Sequence, residues 1–239
     1  MDFTDSQVFT NACVGEDSIE DMVSFAKKLG YVQIVVNCNY DGGDFREFLK
    51  KVEEVKIEGI DIVAGISIDA KDANDMKQKI SKVRDRFPVV IVRGGLYNVN
   101  RAACEDARVD VLMNPHAGRI DNGLDEPCLK AARKNGVAIG VNFRPILKSY
   151  RKQRAFLLQN VATNLELCQE MKVRVVGCSG AQSKWEMRDP RQLVAISDSF
   201  GLDLGRGYSS LTTTPKEIIE KNRKIMRGDA VRGVKVIGD

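Results

Sequence analysis

The chain has 239 residues, of which 43% are hydrophobic and 29% charged, a composition typical of a globular protein rather than a disordered one. That length suffices for one large domain with its own core, and nothing in the composition obliges a second. The formal net charge of +4 conceals an asymmetry, because residues 111–191 contain 14 Lys and Arg against 7 Asp and Glu, a local charge of +7.

Three further features bear on where the protein works. No stretch reaches the roughly 18–20 apolar residues that a membrane helix needs. The acidic start, Met1 to Asp5, lacks the cationic and apolar regions of a signal peptide, so we expect a cytoplasmic protein. The six cysteines have no C-x-x-C or other zinc-site spacing, which favours buried, reduced thiols. Cys38 and Cys178 would be nucleophiles only if a base stood nearby.

Short apolar runs alternate with longer amphipathic segments along the whole chain. The runs are rich in Val and Ile and nearly continuous in apolar character, as expected for parallel strands buried on both faces. In chain order they cover residues 7–14, 31–37, 60–68, 88–93, 109–113, 137–143 and 173–178, with a weaker one at 202–204. The pattern predicts seven or eight parallel strands, of which the first and last are weak.

The segments between the runs carry the apolar spacing of helices. Ile19, Val23 and Ala26, for example, lie three and four residues apart. Capping residues predict helix starts at Asp17-Ser18, Ser183 and Thr214-Pro215. The repeating unit is therefore a strand followed by a helix.

Two architectures fit this repeat, a closed (β/α) barrel and an open doubly wound sheet. About 240 residues over eight units give roughly 30 residues for each unit, as a barrel needs. No G-x-G-x-x-G opens a helix after the first run, which counts against a dinucleotide-binding sheet. We therefore predict an α/β fold, an imperfect TIM-like barrel, as a single domain over 1–239 with a short C-terminal extension at about 228–239.

A barrel enzyme would carry its reactive groups directly after the strands, and these positions are poor in acids and bases. His116 is the only histidine, which excludes multi-histidine metal centres. An independent barrel hydrolase acting on a phosphorylated ligand, with Asp69, His116 and Arg144 as its reactive residues, remains the alternative function. A structural histidine is the alternative for His116. The glycines around Arg206 in 205–207 fit either a phosphate-binding loop or simple turns.

The charge asymmetry is concentrated in residues 144–154, which contain five cations, no anion and one aromatic ring. Such a run is typical of either a solvated helix face or a phosphate-binding surface. Four strings in this part of the chain distinguish the two possibilities. They are GRIDNGLD at 118–125, NFRP at 142–145, YRKQRA at 150–155 and SGAQSKWEMRDPR at 179–191.

Together, in this order and spacing, the four strings resemble protein component 3 of archaeal ribonuclease P, the counterpart of the thirty-kilodalton protein subunit of the eukaryal enzyme. The resemblance extends more loosely to residues 100–103 and 226–234. Two positions depart from the family pattern. Ile120 stands where the family usually has lysine, and Glu126 stands where a histidine is common, so the loop around Arg119 loses a cation and gains an anion.

The resemblance implies a barrel related to metal-dependent phosphoesterases but without their histidine metal site. It also implies a protein subunit of ribonuclease P, the ribonucleoprotein endonuclease that removes the 5′ leader from precursor tRNA. The catalytic RNA would perform the chemistry with its own bound magnesium, so no cofactor and no catalytic or metal-binding residue is expected in this chain. The implied partners are ribonuclease P RNA, precursor tRNA through the complex, protein component 2 in two copies of each, and other ribonuclease P protein subunits, with no membrane.

For RNA contact we predict the cations of the matching strings and the basic run. They are Arg119, Arg144, Lys148, Arg151, Lys152, Arg154, Lys184, Arg188 and Arg191. Tyr150 and Trp185 would either stack on exposed bases or pack against their own helices. Leu157, Leu158 and Val161 are the candidates for contact with component 2.

Overall fold

A computed structural model of the chain describes residues 1–40 and 42–231. Seven strands form one parallel sheet in which every strand pairs with the next one in the sequence. They are β1 (Phe3–Phe9), β2 (Tyr31–Tyr40), β3 (Asp61–Ile68), β4 (Val89–Arg93), β5 (Val111–Met113), β6 (Ala138–Asn142) and β7 (Val175–Cys178). This strand order is that of a barrel, because in a doubly wound sheet the order of the strands across the sheet reverses at one point.

Helices connect the strands and cover the outside of the sheet. Those within the described residues are α1 (Ile19–Lys28), α2 (Arg46–Glu54), α3 (Ala73–Val83), α4 (Tyr97–Glu105), α5 (Glu126–Asn135), α6 (Phe143–Lys148), α7 (Arg151–Glu170), α8 (Pro190–Ser199), α9 (Leu204–Leu211) and α10 (Thr213–Arg227). The predicted start at Asp17-Ser18 is confirmed, because the Ser18 hydroxyl accepts a hydrogen bond from the backbone N–H of Asp21. Ser183 precedes only a three-residue 3₁₀ helix, Lys184–Glu186.

The sheet closes into a barrel beyond the end of β7. The backbone N–H of Gly180 donates to the carbonyl of Gln7 at 3.0 Å, and the N–H of Phe9 donates to the carbonyl of Ala181 at 2.8 Å. These bonds join β1 to the segment that follows β7, so the seven strands form a nearly closed barrel. The predicted TIM-like fold is confirmed.

Two strand predictions are wrong in detail. The weak run at 202–204 is not an eighth strand, because Asp203 caps α9 by accepting a hydrogen bond from the N–H of Arg206. The first strand lies at Phe3–Phe9 rather than at 7–14, and residues 11–14 form a turn. The sequence misled here because β1 buries polar side chains, among them Asp5 and Gln7, which an apolar-run criterion passes over.

Helix α10 closes the N-terminal end of the barrel. Its Ile218 and Ile219 pack with a group of side chains inside the barrel that includes Val35, Val89 and Val111. The Asn222 amide donates to Asp110 Oδ1 at 2.8 Å, among several bonds that join α10 to the strand ends. With this end filled, the C-terminal end of the strands is the open one.

Few of the described residues follow α10. The helix ends at Gly228, whose left-handed φ of 84° stops it. The predicted extension at 228–239 lies largely outside the described residues and stays a prediction, as does the single-domain organisation. In the described part of the chain, no helix is both long and apolar enough to cross a membrane.

Candidate nucleic-acid interface

Neutral amides occupy the C-terminal mouth of the barrel, where barrel enzymes place their reactive groups. Gln7 Nε2 donates to Ser67 Oγ at 2.9 Å, Ser67 Oγ donates to Asn37 Oδ1 at 3.3 Å, and Asn142 Nδ2 donates to Gln7 Oε1 at 3.0 Å. A side chain at Gly180 would collide with Asn142, since a Cβ there would lie 2.1 Å from Asn142 Oδ1. The mouth is therefore a tightly fitted, self-satisfied polar network.

One carboxyl group, that of Asp5, lies buried close to this network. Burial raises the pKa of Asp5 to about 6, although hydrogen bonds from Ser179 and Gln7 act to lower it. Its Oδ1 accepts from the backbone N–H of Ser179 at 3.0 Å, and its Oδ2 has no hydrogen-bond partner within the described residues. Asp5 is fully buried and holds the closing segment after β7 to β1.

The three residues of the alternative hydrolase do not meet in one site. Asp69 forms an ion pair with Arg93 at 3.1 Å on the outer rim. His116 lies in a separate groove, and Arg144 is bound to Glu186. Among residues 1–40 and 42–231, no group of three His, Cys, Asp or Glu side chains is arranged to hold a metal ion.

His116 is buried in the loop that follows β5 and stays uncharged near neutral pH. Burial lowers the pKa of His116 to about 4, and its Nδ1 has no hydrogen-bond partner among the described residues. No titratable partner activates this imidazole as a base in the described structure.

The glycines at 205 and 207 do not form a phosphate-binding loop. Both lie inside α9. The guanidinium of Arg206 donates to the carbonyl of Gln169 at 3.1 Å and to the carbonyl of Val173. Arg206 therefore ties α9 to the end of α7 and to the segment that precedes β7.

Glu186 gathers two of the predicted RNA-binding cations into an ion-pair group that we call the Glu186 cluster, comprising Arg144, Lys148 and Glu186. Arg144 and Lys148 are four residues apart on α6 and so share one face of it. Arg144 Nε lies 2.7 Å from Glu186 Oε2, and Lys148 Nζ lies 2.5 Å from Glu186 Oε1. The Glu186 side chain is only 9% exposed.

The environment of Glu186 keeps it charged. Burial acts to raise its pKa, but hydrogen bonds from Lys148, the backbone N–H of Gln182 and Arg144 outweigh burial and lower the pKa below its ordinary value. Glu186 was not predicted as a partner of the basic run. The signal was present, because Ser183 to Glu186 has the S-x-x-E spacing in which a glutamate turns back to the backbone before a helix.

Three more of the predicted cations also have partners in the protein. Arg119 makes a bidentate ion pair with Asp121, in which Nε donates to Oδ1 at 2.5 Å and Nη2 donates to Oδ2 at 2.7 Å. Lys184 Nζ lies 3.4 Å from Asp17 Oδ1. Arg188 lies over the Phe143 ring and donates to two backbone carbonyls of its own loop. Whether these cations also contact RNA stays a prediction.

The remaining cations lie exposed on the surface. Arg151, Lys152 and Arg154, which we call the α7 basic turn, are exposed and have no Asp or Glu ion-pair partner in the described part of the chain. Lys152 lies over the Phe156 ring, and Arg154 Nε donates to the carbonyl of Ser149 at 2.6 Å. Arg191 is exposed elsewhere, at the start of α8 and 4.0 Å from Asp189.

Comparison with known proteins distinguishes a subunit from a stand-alone enzyme. The sequence profile of the family described as RNase P subunit p30 matches residues 4–227. The chain belongs to the RNase P subunit p30 family. "Ribonuclease P protein component 3" of Methanosarcina mazei is 35% identical over 209 residues, covering 87% of this chain and 85% of the relative. The chain is thus a protein subunit of ribonuclease P, a tRNA-processing endoribonuclease complex, as the sequence resemblance implied.

Solved structures agree with the p30 fold. A chain in a cryo-EM structure of archaeal ribonuclease P with mature tRNA has a TM-score of 0.80 at 24% identity, covering 99% of this chain and 98% of that one. Histidinol phosphate phosphatase from Lactococcus lactis, solved with zinc, L-histidinol and phosphate, has a TM-score of 0.57 at 13% identity, covering 84% of this chain and 94% of that one. The p30 barrel and a phosphoesterase barrel therefore share a fold.

Proposed function

We propose that this subunit binds ribonuclease P RNA through the α7 basic turn and supports a catalytic RNA that performs the cleavage. The observation that carries the proposal is the exposure of Arg151, Lys152 and Arg154 without an acidic partner in the described residues. Such cations release the counterions of a polyphosphate when they bind it.

The chemistry of these side chains suits a folded RNA. An arginine guanidinium can donate two parallel hydrogen bonds to one phosphate, whereas lysine provides a mobile point charge. Both contacts recognise the backbone and its shape rather than the base sequence. Arg191 offers a further exposed cation, although it lies 4.0 Å from Asp189. Arg119, Arg144, Lys148, Lys184 and Arg188 would have to share their charge with the internal partners described above.

The proposed reaction is removal of the 5′ leader from precursor tRNA, with magnesium bound by the RNA and no cofactor bound by this chain. Two observations support the assignment of chemistry to the RNA. The amides of the barrel mouth satisfy one another, and Asp69, His116 and Arg144 do not converge.

The proposed protein partner is ribonuclease P protein component 2, in an assembly with two copies of each, alongside the other protein subunits. Half-buried Leu157 and Leu158 remain candidates for that contact. Val161 was a wrong choice, because it is buried in the protein core. A cytoplasmic location is proposed as well, supported by the buried thiols of Cys104, Cys128 and Cys168, which suit a reducing compartment.

Reconstitution tests the assignment of function. Precursor tRNA is incubated with the purified protein alone, with the RNA subunit alone, and with the RNA subunit plus this protein and component 2. We expect no cleavage by the protein alone, and with all three components faster cleavage at a lower magnesium concentration than with RNA alone. Cleavage by the isolated protein would overturn the proposal in favour of the barrel hydrolase.

A further inference from the structure

A groove of about 480 Å³ lies beside the α7 basic turn, between the loop that follows β5 and the helices α6 and α7. Its position places it at the mouth of the barrel but outside the closed amide network around Gln7. Its volume is within the range of small-ligand sites, roughly 300–1,000 Å³. The residues that line it fall into two chemical groups.

The walls of the groove are apolar and unusually open to solvent. Ile120 is 91% exposed and Phe156 is 45% exposed, and Leu157 adds a half-buried apolar surface on the same helix. Apolar surface in contact with water is unfavourable, and a ligand that covers it lowers the free energy. Phe156 also offers a ring face to a planar ligand.

The polar lining of the groove consists mainly of neutral hydrogen-bonding groups, and its two cations, Arg119 and Lys148, are ion-paired with Asp121 and Glu186. Asn114, Gln153 and Asn160 contribute amides, and His116 contributes a neutral imidazole with its Nδ1 unpartnered in the described structure. Amides and a neutral imidazole both donate and accept hydrogen bonds, as the edges of a nucleobase do. A purely apolar partner side chain would leave these groups unused.

At the rim of the groove, the exposed cations of the α7 basic turn flank Gln153, which is one of the lining residues. Lys152 lies 5.8 Å from the centre of the Phe156 ring, and Arg151 and Arg154 are in the same turn of α7. No Asp or Glu lies between residues 127 and 165 of the sequence. A ligand that enters between Ile120 and Phe156 is therefore accompanied by cations on the helix side.

We infer that the groove binds one unstacked nucleobase of ribonuclease P RNA, with the base on the Phe156 ring, its edge toward the amides and His116, and the flanking phosphates on the α7 basic turn. The inference rests on the proposed function and deepens it, because it names what part of the RNA the site takes. A protein partner fits less well, since the rim is cationic and the interior carries amides rather than a dry apolar pocket.

Substitutions at Phe156 test whether a ring is needed. Binding of ribonuclease P RNA is measured in the absence of other proteins, over a range of salt concentrations. We expect Phe156→Ala to weaken binding about 5- to 150-fold, the range that base stacking gives on alanine substitution, with an unchanged salt slope. Phe156→Leu keeps apolar volume but lacks the ring, so it should stay weak. The matched control is Leu204→Ala, an apolar residue of similar exposure on α9, which should leave affinity unchanged.

The outcomes separate the two proposals. Unchanged RNA affinity in Phe156→Ala, together with a steep salt slope, overturns the groove inference and leaves the phosphate contacts of the proposed function standing. Full recovery in Phe156→Leu also overturns it, because any apolar filler would then serve. Loss of binding to component 2 with normal RNA binding would identify the groove as a protein docking site.

A fluorescence measurement detects the stacked base directly. Trp185 is the only tryptophan in the chain, so Trp185→Phe removes the background signal and Phe156→Trp places a reporter in the groove. We expect ribonuclease P RNA to quench this tryptophan at the concentrations at which it binds. Binding without quenching would contradict base stacking at position 156, whereas no binding at all would contradict the proposed function first.

Discussion

The barrel mouth and the start of α7 both carry charged and polar residues, but these residues have internal partners at the mouth and face solvent on α7. At the mouth, Glu186 engages Arg144 and Lys148, and the amides around Gln7 bind one another. At the start of α7, the three cations of the basic turn face solvent without an acidic partner in the described residues. Polar groups with internal partners stabilise a fold, whereas cations without them are available to an external anion. The positive charge of a segment therefore says less about binding than the location of its counter-charges does.

The first prediction concerns the pH dependence of stability and tests whether water is excluded from the buried carboxyl group of Asp5. The folded state retains the proton of Asp5 up to about pH 6, while the unfolded state releases it near the ordinary value of 3.8. The folded state then binds more protons between these values, so this group lowers stability by about 3 kcal/mol as pH rises from about 4 to about 6. Asp5→Asn should lack this contribution, as measured by denaturant unfolding across that range.

Comparing the pH dependence of stability in Asp5→Asn and in the wild type separates the contribution of Asp5 from that of His116. The lowered pKa of His116 changes stability with pH in the opposite direction. The folded state keeps His116 neutral until about pH 4, while the unfolded state protonates it below 6.5, so its contribution is lost as pH falls. Identical pH profiles for the wild type and Asp5→Asn would show that the Asp5 carboxyl is accessible to water.

The second prediction tests the start of α7. Replacing Arg151, Lys152 and Arg154 by alanine should weaken binding of ribonuclease P RNA about 10- to 100-fold and reduce the log–log salt slope by about 0.7–0.9 for each lost phosphate contact. The free energy of unfolding should fall by only about 1 kcal/mol, because Arg154 loses the hydrogen bond that it donates to the Ser149 carbonyl. The matched control replaces the exposed Lys77, Lys82 and Arg86, on and after α3. Equal losses in both variants would mean that net charge alone, rather than the basic turn, determines affinity.

The third prediction concerns the Glu186 cluster, where we expect a substitution to reduce folding stability. Glu186→Gln removes the shared anion, and the free energy of unfolding should fall by about 1–2 kcal/mol. The loss stays below that of a fully buried pair because the side chains of Arg144 and Lys148 are 30% and 55% exposed. Denaturant unfolding measures it, with the exposed Glu166→Gln as control. A variant of normal stability would break the contrast between the two regions.

The smallest effect is expected at Arg119. Because Asp121 neutralises it through two hydrogen bonds, Arg119→Ala should change stability by less than about 1 kcal/mol. In the same variant, the log–log salt slope of RNA binding should fall by less than the roughly 0.7–0.9 expected for a full phosphate contact. A reduction of the slope by about 0.7–0.9 would show instead that Arg119 makes a full phosphate contact, as proposed for the cations of the α7 basic turn.

The fold class and the family could both be predicted from the amino-acid sequence. Six of the seven strands coincide with apolar runs of Val and Ile, and Ser18 begins α1 as its capping chemistry requires. These features depend on residues close together in the chain, so local periodicity reveals them. The four strings between residues 118 and 191 indicate a ribonuclease P subunit, and the match to the RNase P subunit p30 family agrees with that prediction.

Which cations remain exposed depends on the packing of segments that are distant in the chain. Glu186 lies 42 residues beyond Arg144 and meets it only because the barrel brings the ends of β6 and β7 together. The polar strand β1 was misplaced for the same reason, since its buried Asp5 and Gln7 have partners such as Ser179 and Asn142 far away in the sequence. Charge and polarity are local properties of a sequence, but the partner that neutralises them depends on how distant segments pack.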